Sequence, residues 1–230
     1  MNEGVAAGTN DPAFANAQTW EATKATVWVS VAFSSTRLSK QADSDLAFAD
    51  LRQASDTIKQ NRLGKPLAQD SFPKEFYGHI PSRKLKKLAD LCKLGGFWVV
   101  SAACADVLQQ FDLGRTAFYP VKVYEHNRTT SVEGEYFCLS FGETKQAFLP
   151  EVSSGLRPRD QDPVREWRMV GGGKDASVAV HEEALQGVDL WIDPKLFEVV
   201  FLSDALVKAL RAARMSRHFS LRKCRVLRPA

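Results

Sequence analysis

Apolar and polar positions organise this chain around one stretch, residues 97–124. Phe97, Trp98, Val99 and Val100 form a short β-prone run, the pattern of a buried strand. Ser101 follows at once, and its hydroxyl can accept from an orphan amide in the first turn of a helix. Cys104, Val107, Leu108 and Phe111 then fall at i, i+3, i+4 and i+7, one face of an amphipathic helix. Gly114 suits a left-handed helix stop. Phe118 to Tyr124 is β-rich again, although Pro120 removes one ladder donor.

A looser copy lies near the C-terminus. Residues 196–202 are apolar, Ser203 holds the cap position, and Leu206, Ala209, Leu210 and Ala213 repeat the helical face. Phe219 falls near the place of Phe118, with Cys224 to Leu227 expected as the closing strand. The two units are either pseudo-symmetric or share only the common strand–cap–helix pattern.

The remaining pattern is less regular. Val27, Val29, Val31 and Phe33 alternate as a half-buried strand, and residues 42–62 carry Ala47, Leu51, Ala54 and Ile58 at helical spacing. Pro66, Pro73 and Pro81 exclude a regular helix over 66–81, where Phe72, Phe76 and Tyr77 either anchor a loop or form a recognition surface. Ser82 is expected to cap a basic helix over 82–92, with Leu85, Leu88, Ala89 and Cys92 on one face. Glu135 to Phe141 should pair with 118–124. Residues 150–163 read as a loop, and 166–170 and 177–180 as strands of a hairpin turning at Gly171-Gly172-Gly173-Lys174. Val188, Leu190 and Ile192 alternate as a further strand. The expected fold is α+β, with a mixed or antiparallel sheet, two similar strand–helix–strand units, and helices over 82–92, 101–112 and 203–214 packed on it. Residues 1–20 are expected to be a disordered N-terminus, 21–94 the N-terminal part of the domain, and 95–230 the core containing both units.

Composition adds limits. With 230 residues and 44% hydrophobic content, the chain can bury a sizeable core. No run approaches the ~18 apolar residues of a membrane span, and the start, MNEGVAAGTNDPAF, has neither a basic n-region nor an apolar h-region, so a cytoplasmic location is expected. Cys92, Cys104, Cys138 and Cys224 show no CxxC spacing, and His79, His126, His181 and His218 are scattered. Buried reduced thiols and no metal or other cofactor are the expectation. The Gly-rich segment fails the phosphate-loop pattern, because Asp175 follows Lys174. No nucleophile elbow, HExxH or convergent carboxylate pair is present, and His181, Glu182 and Glu183 read as a solvated turn.

Charge changes the picture once. Residues 203–230 carry eight Lys or Arg against one acid, Asp204, a net +7 within a chain of net +4. This region could serve an acidic protein, an anionic membrane or a nucleic acid, or could be a solvated face with snorkelling arginines.

Five segments occur in order: GKPL (64–67), GGFWVVSAACADVLQQF (95–111), FYPVKVY (118–124), GVDLWIDPKLFEVVFLSDALVKAL (187–210) and Phe219. Their order and spacing resemble an immunity-protein family of bacterial polymorphic toxin systems, long known only as a conserved domain of unknown function. The resemblance spans residues 60–227, and GVDLWID is its most distinctive part. It implies a non-enzymatic cytoplasmic antidote that binds a cognate protein toxin and occludes it, with no cofactor, no membrane and an unassigned oligomeric state. The resemblance carries over no contact residues. From the sequence, the candidates for partner binding are Phe72, Phe76 and Tyr77 in the proline-rich segment, and Arg211, Arg214 and Arg217 in the basic region. The first rival reading is a nucleic-acid-binding module built on residues 203–230, and the second is an enzyme of unrecognised class.

Overall fold

The computed structural model describes residues 19–81, 84–85, 87–159 and 166–230. In chain order the first elements are β1 (Trp20–Ala22), β2 (Val27–Ser30), β3 (Ser39–Lys40), β4 (Ala42–Ser44), α1 (Asp45–Ala49), α2 (Leu51–Arg62) and β5 (Glu75–Gly78). The middle of the chain gives β6 (Leu91–Leu94), β7 (Phe97–Ser101), α3 (Ala102–Leu108), β8 (Ala117–Tyr124), β9 (Tyr136–Ser140), β10 (Leu156–Arg159) and β11 (Glu166–Met169). The last third adds β12 (Ala179–His181), β13 (Leu190–Trp191), β14 (Val200–Ser203), α4 (Asp204–Ala212), α5 (Ser216–Phe219), β15 (Leu221–Lys223) and β16 (Arg225–Pro229). The fold is α+β, as expected.

The largest sheet has the order β3-β6-β7-β9-β8-β5-β4. Its two outermost strands are halves of one extended run, residues 39–44, separated only by Gln41. The sheet therefore curls until its edges meet, forming a short barrel. Its interior is filled by Phe76, Leu94, Phe97, Val99, Val121, Val123 and Cys138, with Ala54 and Ile58 of α2 packed against them. The β6–β7 turn is Gly95-Gly96, both at positive φ (53° and 95°), which fits a two-residue type I′ hairpin. Ile58 lies against Gly96 so closely that a Cβ there would meet its Cδ1 at 2.6 Å.

The two strand–helix–strand units are related in register, not only in pattern. Beside the barrel lies a second sheet of order β13-β14-β2-β15, which repeats β6-β7-β9-β8 strand for strand. In each, every neighbour is antiparallel, so the strands flanking the helix run parallel with one strand between them. Leu91 pairs Val100 as Leu190 pairs Leu202. The Ser101 amide donates to the Asp90 carbonyl (3.1 Å) as the Ser203 amide does to Asp189 (2.9 Å). Both serines cap as expected: their hydroxyls accept from Cys104 N and Leu206 N, each at 3.2 Å. Each aspartate also reaches the segment after the other unit's helix. Asp189 exchanges backbone and carboxylate bonds with Asp112, and Asp90 Oδ2 lies 3.4 Å from His218 Nδ1. Between the units, α3 and α4 share a core with Trp98, Val100, Leu139, Leu202 and Phe219.

Several expectations need correction. The described residues of 82–92 form no helix: Leu91–Leu94 is strand β6, buried on both faces, and a two-sided strand shows no alternation to distinguish it from a helix. Ser82, Arg83 and Lys86 lie outside the described residues, as do residues 1–18 of the N-terminus expected to be disordered over 1–20; Trp20, within that range, belongs to strand β1 and pairs with Pro229. The 42–62 run opens with β4 and breaks at Asp50, which caps α2 by accepting from Gln53 N. The strand equivalent to β8 is β15, not 224–227. Arg225–Pro229 pairs instead with β1 and β12 in a separate sheet. The glycine run turns no hairpin, because β11 pairs with β10, inside the segment read as a loop, and β12 with β16.

Asn61, 4% exposed, ties α2 to the barrel. Its amide donates to Leu139 O (2.9 Å) and accepts from Phe141 N (2.7 Å), taking the place of a strand residue. Asn61→Ala strands both backbone groups and should cost about 2–4 kcal/mol in urea denaturation. Ser101→Ala and Ser203→Ala should each cost about 1 kcal/mol, and the double variant should show whether the two caps are energetically independent.

Candidate partner-binding site

The sequence candidates fall in three environments. Phe72 (3% exposed) and Phe76 (0%) are core residues, in edge-on or tilted ring contact with Phe97 and, for Phe72, Tyr119. They anchor the proline-rich segment and present no surface. Tyr77, one residue on, points out of the barrel wall because successive strand residues face opposite sides. Arg211, Arg214 and Arg217 are exposed and follow one another off the C-terminal end of α4, where cations offset the helix dipole.

The basic region is largely engaged with the protein itself. Arg211 stands over the Trp28 ring at 4.3 Å, and Lys223 lies 5.5 Å from its centre. The Trp28 indole donates to Asp204, which also pairs with Lys208 at 2.8 Å. These two bonds, Lys208 first, hold the Asp204 carboxyl below its usual range. Arg222 donates to Gly173 O and Leu221 O, Arg225 to Ala176 O and Val152 O, and Arg228 to Glu21. A +7 segment thus cross-ties the second half of the fold.

The barrel wall carries an arrangement that sequence reasoning found only in part. Phe48 of α1, Tyr77 of β5 and Tyr124 of β8 form a row, with 6.0 Å between successive ring centres, and Tyr77 and Tyr124 stack at 20°. Arg128 lies across it, 4.5 Å from the Phe48 ring and 5.0 Å from Tyr77. The Tyr77 hydroxyl donates to Glu75, which pushes its pKa to about 12, so the phenol stays neutral. Phe48 is 53% exposed and nearby Leu51 72%. Phe48 and Tyr124 lie in segments whose patterns predict helix and strand, and Arg128 lies in the polar stretch between β8 and β9, where nothing in the sequence singles it out. Their meeting depends on the β5–β8 pairing, which no local pattern announces. A second cluster, also unforeseen, sets Arg62, Arg159 and Arg168 around the Phe197 ring at 4.4, 3.6 and 5.7 Å, with Glu166 bridging the first two.

The groups with altered titration are structural. Burial lowers Lys145 to about 8, yet all three ammonium protons are taken by Ala184, Gln186 and Val188 carbonyls, and the Trp191 face lies 3.7 Å away. Burial raises Asp193, whose oxygens accept from Phe148 N and Lys195 N. Burial also pushes Cys92 and Cys104 up to about 12, so these thiols are not nucleophiles near neutral pH. Among the described residues no group of three His, Cys, Asp or Glu could hold a metal ion, and no helix is long and apolar enough to cross a membrane. The crevice between the halves, lined by Phe33, Ile58, Trp98, Phe141 and Ile192, offers about 30 Å³, room for one or two waters.

No curated protein matches the chain. A family model described as the immunity protein family (Imm11) matches residues 32–225, a span that takes in the barrel, both strand–helix–strand units and the aromatic row. With that match over most of its length, the chain belongs to the Imm11 immunity protein family.

Proposed function

We propose that this protein is a cytoplasmic antidote that binds a cognate secreted or contact-delivered toxin and neutralises it by covering the toxin's active site. Membership of an immunity family over residues 32–225 is the observation that carries this reading. The chemistry is consistent with it. Occlusion needs a rigid surface with a few anchoring side chains and no catalytic group. Lys145, the most catalyst-like side chain, has every donor spent on a carbonyl. Tyr77 and the exposed arginines Arg211, Arg214 and Arg217 are the proposed partner-facing groups among the sequence candidates. The arginines would chiefly speed encounter with an acidic toxin surface, because exposed rim charges act more on association rate than on final affinity.

The nucleic-acid reading gains nothing from the geometry. The basic segment is dispersed among carbonyls, Glu21, Asp204 and the Trp28 ring. The open cleft where Arg211, Arg222 and Lys223 gather has Trp28 as its aromatic lining, and that ring is 4% exposed with Arg211 already over it, which leaves little face for a base to stack on.

The direct test is co-production. Where the neighbouring reading frame encodes a toxic C-terminal domain, producing this chain with it should restore growth, and the two should co-elute in gel filtration. Continued killing with no complex overturns the proposal. Lys145→Met separates structure from catalysis: it should cost about 1–3 kcal/mol of stability through three orphaned carbonyls while neutralisation at permissive temperature stays at the wild-type level.

A further inference from the structure

The barrel's outer wall has a donor and apolar surface without a partner. Glu75, Asp43, Asp45 and Glu125, beside the aromatic row, each have hydrogen-bond donors of their own, although neutral donors leave their charge in place. Glu75 accepts the Tyr77 hydroxyl, Asp43 pairs with His79 at 3.0 Å, Asp45 accepts from the amides of Leu46, Lys74 and Glu75, and Glu125 accepts from Leu85 N. Arg128 is the reverse case. Among the described residues no carboxylate lies within ion-pairing distance of it, and its guanidinium lies over the rings of Phe48 and Tyr77. A guanidinium stacked this way keeps its N–H fork at the ring edges, free for bidentate bonds to a carboxylate.

The arginine is also held in place. It sits at φ 61°, a backbone region in which a non-glycine residue is strained. The turn around it enforces that conformation. Arg128 N donates to Glu125 O (2.9 Å), and the Asn127 side chain accepts from Thr129 N and Thr130 N (3.1 and 3.0 Å). Nothing in the fold requires an arginine at this strained position, since glycine would adopt it freely. Phe48, more than half exposed, gives the patch an apolar side chain, and Leu51, nearly three-quarters exposed, follows three residues later at the start of α2. Aromatic rings and an arginine, rigidly mounted, are the residue types that dominate binding energy at protein interfaces.

We infer that the Phe48–Tyr77–Tyr124 row with Arg128 is the surface that grips the toxin, and that the toxin segment seated there carries an Asp or Glu next to an exposed apolar side chain. This deepens the toxin-binding reading and rests on it. The carboxylate takes the Arg128 fork. The apolar neighbour covers Phe48 and Leu51, removing both from water.

The test titrates the toxin domain encoded by the neighbouring reading frame, inactivated by active-site substitution, against the full chain and three variants. The wild type should bind. Arg128→Gly and Phe48→Ser should each weaken binding by at least about thirtyfold, the scale of an interface hot spot. Val170→Ser, which removes an exposed apolar side chain (52%) elsewhere, should stay within about threefold of wild type. Arg128→Gly should melt at or above the wild-type temperature, because glycine relieves the positive φ. Charge reversal of one toxin carboxylate should weaken wild-type binding and leave Arg128→Gly binding unchanged. If the wild type binds and both patch variants bind equally well, the surface assignment falls while the toxin-binding reading stands. If the wild type fails to bind, the reading falls and takes the assignment with it. A lower melting temperature for Arg128→Gly with unchanged binding would make the arginine a fold element and overturn the assignment. So would light scattering that shows a wild-type dimer split by the patch variants, because the face would then be a self-interface.

Discussion

The second half of the molecule depends on a strand it does not own. β14 and β15 flank α4 in sequence but never touch, because β2, from the start of the chain, lies between them. Val27, Trp28, Val29 and Ser30 are all buried. Trp28 faces the core shared by α3 and α4, while Val27 and Val29 face the opposite core with Trp191, Phe201 and Val226. The Ser30 hydroxyl bonds to Phe219 O at the end of α5. Without β2, two ladders lose their partner and two cores lose a wall. In the barrel the equivalent middle strand, β9, pairs with β8, the strand before it in sequence. One architecture is thus built once from local pairing and once from strands about 170 residues or more apart. The entropy of closing that long loop must be met before the pairing is rewarded, so the C-terminal unit should be the late one to consolidate.

That difference also explains what could be read from the sequence. The central strand, its Ser101 cap, the α3 face and the β8–β9 pairing follow from neighbours within about twenty to forty residues, and local patterning expresses them. The Ser203 cap and α4 were legible for the same reason. What failed was set by distant partners. β6 looks helical because both its faces are buried, against Trp98 and Val100 on one side and the barrel interior on the other. β15 is only three residues long and is defined by β2 rather than by its own sequence. β16 leaves for another sheet, so Cys224 to Leu227 keep a strand's composition but not the expected partner.

Charge was informative as a count and misleading as a location. A net +7 over 28 residues invites an anionic partner, yet most of those cations bond to carbonyls, cap the end of α4 or lie on Trp28. The reason is geometric. β15 and β16 run beside loops, such as 173–176, whose carbonyls point outward, and long basic side chains supply the missing donors. The single arginine in the 125–131 turn contributes almost nothing to the count. It nevertheless stands on two aromatic rings with no acid of its own.

For the proposed mode of action, occupation of a partner, stiffness is part of the chemistry. Every side chain immobilised on binding costs about 0.5–1.5 kcal/mol, so a surface ordered beforehand keeps more of its contact energy. Barrel closure supplies that order. With residues 39–44 joining both edges, β5 and β8 cannot splay, and the spacing of Tyr77 and Tyr124 is set by a parallel ladder with Phe76 and Val123 locked in the interior behind them. The pseudo-symmetric second half then packs through α3 on the outer faces of β7 and β9, the strands next to β8 in the same sheet. The echo of one strand–helix–strand unit in the other therefore bears on the proposed function through mechanics: the second unit packs on the sheet that carries the aromatic row.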